Sequence, residues 1–410
     1  MRARSVGMAF FIVFWLLAFD GAGQLRMAQA VARDSAGIRI VDNMRSEDLP
    51  DPVWRLGDTP IMDLTETGVG PEYEFYRVYS GIRLDDGRIV VANGGSNELR
   101  VYSGEGEFLT TLGREGEGPG EFMRLDWVSR YRGDSIFAYD FGLGRWSIFS
   151  GDGGIARSVK VTTPEGQRVE IARPFSSGAV MGMRLMPPSN LIGRELVGIR
   201  QEETSLMRFS PEGEYLNAIA TLPGPELWIP PRPAGQTSYG YLPALFGYWP
   251  QLAVVGDLVY AGTDRGFEVA GFSESEGLRH LVRIPGLERP VTRNDVDDFL
   301  ERVKEVYNPV MSQFISELPR PESCPSFSLI VVDAEGNLWI SEYVQMVFDP
   351  ERWTVFDSGG NLLGDVVVPR RFLILDIGSD FILGRRLDDL DVEHVQLYRL
   401  SKDGNDNLGR

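Results

Sequence analysis

Cysteine, histidine and lysine are almost missing from this chain. Its 410 residues contain one Cys (Cys324), two His (His280 and His394) and three Lys (Lys160, Lys304 and Lys402), so arginine supplies nearly all the positive charge. A single thiol excludes an intramolecular disulfide framework, and with only two imidazoles it also excludes an ordinary Cys/His metal site. Positive charge is itself outweighed: 41 Lys and Arg stand against 59 Asp and Glu, a formal net charge of −18. A surface this acidic repels phosphate backbones and anionic bilayers, so nucleic acid is excluded as a natural partner. What is abundant is glycine, with 47 residues, alongside 25 prolines, in a chain whose 43% apolar share is that of a folded protein.

The N-terminus has the pattern of an export signal. Arg2 and Arg4 precede the 14 uncharged residues from Val6 to Phe19, and Ala28-Gln29-Ala30 then supplies the small-x-small pattern of a cleavage site. The apolar run falls short of the roughly 20 residues that span a bilayer. No cysteine lies near the cleavage point, which argues against a lipid anchor. The expectation is a mature chain starting at Val31, periplasmic or extracellular, without a transmembrane segment; an uncleaved N-terminal anchor is the alternative. In an oxidising compartment Cys324 reads as a buried, inert thiol.

One unit recurs along the mature chain: an apolar strand, a Gly turn, a second strand, and a third strand ending in an aromatic before another Gly turn. Asp86-Gly87, Gly133-Asp134, Gly256-Asp257 and Glu335-Gly336 mark four clear copies, and weaker ones start near Gly178 and Gly378. Short strands with Gly turns at this period mean propeller blades of four antiparallel strands, and six copies mean six blades. The copies start 47, 45, 78, 79 and 43 residues apart, so two links carry insertions, at about 223–243 and 285–325. The last copy has three strands, Phe372–Ile377, Asp380–Arg385 and His394–Leu400, before a polar tail at 401–410. Val53–Leu56 or Pro60–Leu64 is expected to supply the missing strand and close the ring, leaving 31–52 as an N-terminal arm. One helix is expected, from about Asp295 to Leu318, opened by a capping box at Thr292 and Asp295.

The run Gly113-Arg114-Glu115-Gly116-Glu117-Gly118-Pro119-Gly120-Glu121-Phe122, followed by Asp134 to Asp140 and by Arg145 to Phe149, resembles an NHL repeat. Blade 1 repeats it loosely, with Glu98 where the Arg would stand, and blade 5 keeps Arg352 and Phe356 with Glu342 for the Asp. From Trp54 onward the chain is similar to the six-bladed β-propellers that bacteria export. That resemblance implies the fold and says little about activity.

The Gly-rich loop lacks the Gly-Lys-Ser/Thr of a phosphate-binding loop and reads as a tight inter-blade turn. Cys324 as a nucleophile would need His280 or His394 as its base, and neither sits in a suitable pattern; no catalytic residue is nominated. Peptide-amidating lyases with NHL propellers use several histidines on a metal, which this chain cannot provide. Gluconolactonase-like propellers hold a divalent cation at the tunnel with Glu, Asn and Asp. No motif of that family is matched here, but Asn93, Asp140, Glu342 and Asp264, each after the second strand of a different blade, are the candidate ligands for a calcium ion; the other reading is that each caps a loop or pairs with an arginine. No other cofactor is implied. The leading expectation is an exported binding or interaction module for an unknown protein or small molecule. The alternative is a calcium-dependent, lactonase-like hydrolase with its site at the tunnel. Contacts are expected on the insertion-bearing face, from Trp228, Tyr239 and Tyr241 of the first insertion with Arg114, Glu121, Asp140, Arg145, Glu342 and Arg385.

Overall fold

The computed structural model describes residues 30–44, 54–185, 197–229, 241–262, 266–306, 318–344 and 350–402. Six antiparallel sheets follow one another along the chain. Blade 1 holds strands Val78–Arg83, Ile89–Asn93, Glu98–Tyr102 and Phe108–Leu112. Blade 2 holds Leu125–Arg130, Ile136–Asp140, Arg145–Phe149 and Ile155–Lys160. Blade 3 holds Ile171–Pro174, Val180–Met183, Gly198–Phe209 and Tyr215–Ile229. Blade 4 holds Leu252–Val255, Leu258–Gly262, Glu268–Ser273 and Gly277–Arg283. Blade 5 holds Ile330–Val332, Leu338–Ser341, Arg352–Phe356 and Leu362–Val367. Blade 6 holds Phe372–Ile377, Phe381–Leu387 and Glu393–Ser401. The fold is a six-bladed β-propeller.

Two physical features set this pattern. The turn into the second strand needs a positive φ, which Gly87 supplies at 92° and Gly133 at 58°. The second strand is covered on both faces by neighbouring blades, so Ile89–Asn93 and Ile136–Asp140 are buried at every position. Such strands read as unbroken apolar runs instead of alternating ones. Six clusters of buried side chains lie one per seam between blades, with large aromatics such as Trp146, Trp339 and Trp353 at zero exposure.

Both candidate N-terminal segments close the ring. Arg55 and Leu56 pair with Ser401 and Leu400, and Met62 and Asp63 pair with Leu397 and Gln396, so together they form the fourth strand of blade 6. Trp54 packs on Trp339 at 5.6 Å, and the Lys402 ammonium lies 4.5 Å over the Trp54 ring.

The N-terminal arm is more than an arm. Ala30–Ser35 and Ile38–Asn43 form a hairpin around Ala36 and Gly37, both at positive φ. Its second strand adds to the outer edge of blade 4 in parallel, Arg39 opposite His280 and Asp42 opposite Arg283. Asn43 is fully buried there: its amide donates to the carbonyl of Gly360 at 2.9 Å, and its oxygen accepts from Leu362 N–H at 2.9 Å. One side chain thus ties the hairpin to blade 5.

The two insertions pack on each other. Trp228, at the end of the fourth strand of blade 3, and Leu242, Leu245 and Phe246, on the way into blade 4, share a cluster with Val296, Phe299, Leu318 and Cys324 from the second. The first insertion starts later than its sequence suggests, because residues up to Ile229 continue the fourth strand of blade 3 and pair with Gly198–Gln201. The helix runs Arg293–Val306 and opens with the expected reciprocal cap: Asp295 N–H donates to Thr292 Oγ1 at 3.2 Å, and Thr292 N–H to Asp295 Oδ2 at 2.8 Å.

Candidate functional site

The residues with the strongest sequence signal hold the backbone. In the Gly113–Phe122 link the Arg114 guanidinium pairs with Glu121 at 2.7 Å, and the other Glu121 oxygen accepts from Gly118 N–H at 2.7 Å. That N–H and the guanidinium keep the Glu121 carboxyl below its ordinary range. Arg145 donates to the carbonyls of Glu117 and Gly118 at 2.8 Å and of Glu121 at 2.5 Å. Loop and clamp satisfy each other.

Asp140, only 1% exposed, accepts from the backbone N–H groups of Met123 at 2.5 Å, Arg124 at 3.1 Å and Leu143 at 2.7 Å. It fixes the chain where it enters its own blade. Asn93 does the same in blade 1, accepting from Tyr76 N–H at 2.9 Å. In blade 5 the duty passes to Ser341, whose hydroxyl accepts from Leu329 N–H at 2.9 Å, while the neighbouring Glu342 is exposed and accepts from Arg352 N–H at 3.2 Å. Asn93, Asp140 and Glu342 therefore each serve a separate blade. Among the described residues no group of three or more His, Cys, Asp or Glu side chains is placed to hold a metal ion. Arg385 is buried at the seam of blades 6 and 1 beside Glu393, which accepts from Val78 N–H at 2.9 Å. Trp228 is 3% exposed in the insertion cluster, and Tyr241 is half-buried. Tyr239 and Asp264 lie outside the described residues.

A second set of side chains lines the central tunnel. Its walls are the first strands of all six blades, and it encloses about 1030 Å³. Those strands all start on the insertion-bearing face, since the inter-blade links enter there, so residue order along them gives depth. Arg77 and Arg124 sit at that mouth, Arg173 lies deeper, and Arg130 and Arg132 lie toward the opposite end. Arg130 is engaged: it pairs with Asp376 through both oxygens, at 3.1 and 2.6 Å, and Arg83 N–H also donates to that carboxylate at 2.8 Å. This bridge ties the inner strands of blades 1, 2 and 6. Asp333 is taken up as well, accepting from Asn337 N–H at 2.8 Å and from Lys402 at 3.2 Å. Among the described residues Arg77, Arg124, Arg132 and Arg173 have no carboxylate at salt-bridge distance. The Arg124 guanidinium lies 4.2 Å over the Phe141 ring, and that of Arg173 lies 3.5 Å over Trp127. Burial pushes Arg173 down to about 10 against the opposing pull of Asp126.

Sequence reasoning missed this set because blades 1 to 3 contribute one to three arginines each with no local motif. A usable signal did exist: basic residues recur beside the first strands of blades 1 to 3, and the tunnel-lining stretches of blades 4 to 6 have none.

The comparisons agree with the architecture. The sequence profile of a family described as a 6-bladed beta-propeller matches residues 74–150. The curated proteins give no match. A Bacteroides fragilis protein regarded as exported superposes with a TM-score of 0.50 at 13% identity, covering 88% of this chain and 99% of its own. A Bacteroides vulgatus protein does so at 0.50 and 11% identity, covering 85% and 98%. A Xanthomonas campestris gluconolactonase reaches 0.44 at 15% identity over 85% and 90% of the two chains. These likenesses concern the fold; the last is too remote to carry an argument about activity.

Proposed function

We propose that this protein is an exported ligand-binding propeller that holds a small molecule in its central tunnel. One observation carries the reading. In a chain of formal charge −18, the tunnel is lined by more arginines than aspartates, and four of those arginines have no carboxylate partner among the described residues. Arg77, Arg124 and Arg132 are exposed and Arg173 is half-buried with one donor on the Ala172 carbonyl at 2.8 Å, so guanidinium donors remain on this wall for an anion from solution. A volume of about 1030 Å³ is that of a small-molecule site. Export is supported by Arg2, Arg4, the apolar run and the Ala28-Gln29-Ala30 site, and cleavage after Ala30 would leave the blade 4 hairpin almost whole. Among the described residues no helix is long and apolar enough to cross a membrane.

The test is a thermal-unfolding screen of the mature protein against small carboxylates, phosphorylated sugars and amines. Stabilisers are expected among the anions and not among the amines, and Arg124→Glu, at the exposed mouth, should abolish their effect. Stabilisation by amines, or an anion effect that survives Arg124→Glu unchanged, would place the working site elsewhere.

A further inference from the structure

The tunnel has two unlike walls. All five arginines that line it belong to blades 1 to 3. The stretches contributed by blades 4, 5 and 6 run from Trp249 to Gly256, Leu329 to Ala334 and Leu373 to Ile377, and they are mostly apolar, with Gln251, Asp333 and Asp376 as their polar side chains. Their two carboxylates are spent, Asp376 on Arg130 and Asp333 on Lys402 and its own turn. In a ring of six, blades 1 to 3 stand opposite blades 4 to 6. Blades 1 to 3 also contribute Asp126, so five arginines against one carboxylate make a net cationic wall, which faces an apolar wall across one lumen.

An occupant that suits both walls has an anionic group on one side and an apolar body on the other. A hydrophilic anion would answer the guanidinium groups and leave the apolar wall wetted. A neutral apolar molecule would desolvate Arg77, Arg124 and Arg173 with nothing to pair them. Inner strands of three to six residues, rising about 3.3 Å each, give walls ~10 to 20 Å long, enough for an extended eight-carbon chain. We propose that the tunnel takes an amphipathic organic anion, its acid group on the arginines of blades 1 to 3 and its apolar body along blades 4 to 6. This rests on the tunnel being the binding site and adds the class of ligand.

Calorimetric titration of the mature protein at low salt with octanoate, octanol, octylammonium and citrate separates charge from apolar body. Octanoate should bind one to one, about tenfold or more tighter than octanol, octylammonium or citrate, and weaken as salt is raised. Arg124→Gln with Arg173→Gln should bring octanoate down to the octanol level, and Arg157→Gln, on the outermost strand of blade 2, should change nothing. Because Arg173 stacks on Trp127 and its loss could loosen the wall, Arg124→Gln alone is the second variant, expected to weaken octanoate severalfold with its melting temperature unmoved. Octanol matching octanoate, or citrate binding more tightly than octanoate in an arginine-dependent way, would overturn the amphipathic ligand and leave the tunnel reading standing. Octanoate binding indifferent to both arginines would overturn both.

Discussion

Asp140 illustrates how a conspicuous residue can be fully occupied by its own fold. Its two oxygens take three backbone N–H groups, two from the incoming link and one from its own loop. Asp140→Ala strands those donors in a buried place and should cost about 2–3 kcal/mol; millimolar calcium should raise the melting temperature of neither wild type nor variant. A calcium-dependent rise in the wild type that vanishes in Asp140→Ala would return the residue to a metal site. His280 offers a test by pH. It lies under the N-terminal hairpin with its Nε2 3.2 Å from the Gly359 carbonyl and its Nδ1 3.4 Å from the Tyr260 hydroxyl. A neutral ring that donates from Nε2 and accepts at Nδ1 satisfies both. Burial, which outweighs the Gly359 bond, sets its pKa below the ordinary 6.5. The unfolded chain therefore binds a proton that the folded chain refuses, and stability falls as pH drops through 6.5 toward the lowered value. His280→Gln should flatten that part of the curve in thermal melts; an unchanged slope would mean that the imidazole takes up a proton in the folded state.

At the level of elements, two N-terminal pieces do different work. The short strands at Arg55–Leu56 and Met62–Asp63 cover the last edge of blade 6, where Asp63 also accepts from Gln396 at 2.7 Å and meets His394 at 3.0 Å. The hairpin 30–43 covers blade 4 instead. Starting the chain after Asn43 should lower the melting temperature and leave a monomer, since the ring remains closed. Starting it after Leu64 should expose the Glu393–Ser401 edge and give aggregates on gel filtration. A soluble, equally stable chain beginning at residue 65 would contradict the closure. The closing strands were legible because blade 6 visibly lacks one. The hairpin was not: Ile38-Arg39-Ile40-Val41-Asp42 alternates like any edge strand, and nothing local says that its partner lies some 240 residues away. The capping box at Thr292 and Asp295 was legible because it is written within four residues.

For the whole molecule, repetition made the fold readable and the same repetition hid the site. Gly turns and apolar second strands recur because each blade must turn and be covered by its neighbours, so they announce six blades. The motifs that stand out most, such as Gly113–Phe122 with Arg145, stand out because backbone geometry demands them, and their polar atoms are consumed in meeting that demand. The tunnel is assembled from short stretches some 45 to 80 positions apart, so its two-sided character emerges only when the ring closes. The central claim is that this lumen is the binding site. The most direct measurement is a crystal structure of the mature protein soaked with octanoate. The account predicts difference density inside the tunnel, with the carboxylate within hydrogen-bonding distance of Arg77, Arg124 or Arg173 and the chain against the blade 4 to 6 wall. An empty tunnel with octanoate ordered only on the outer surface would contradict it.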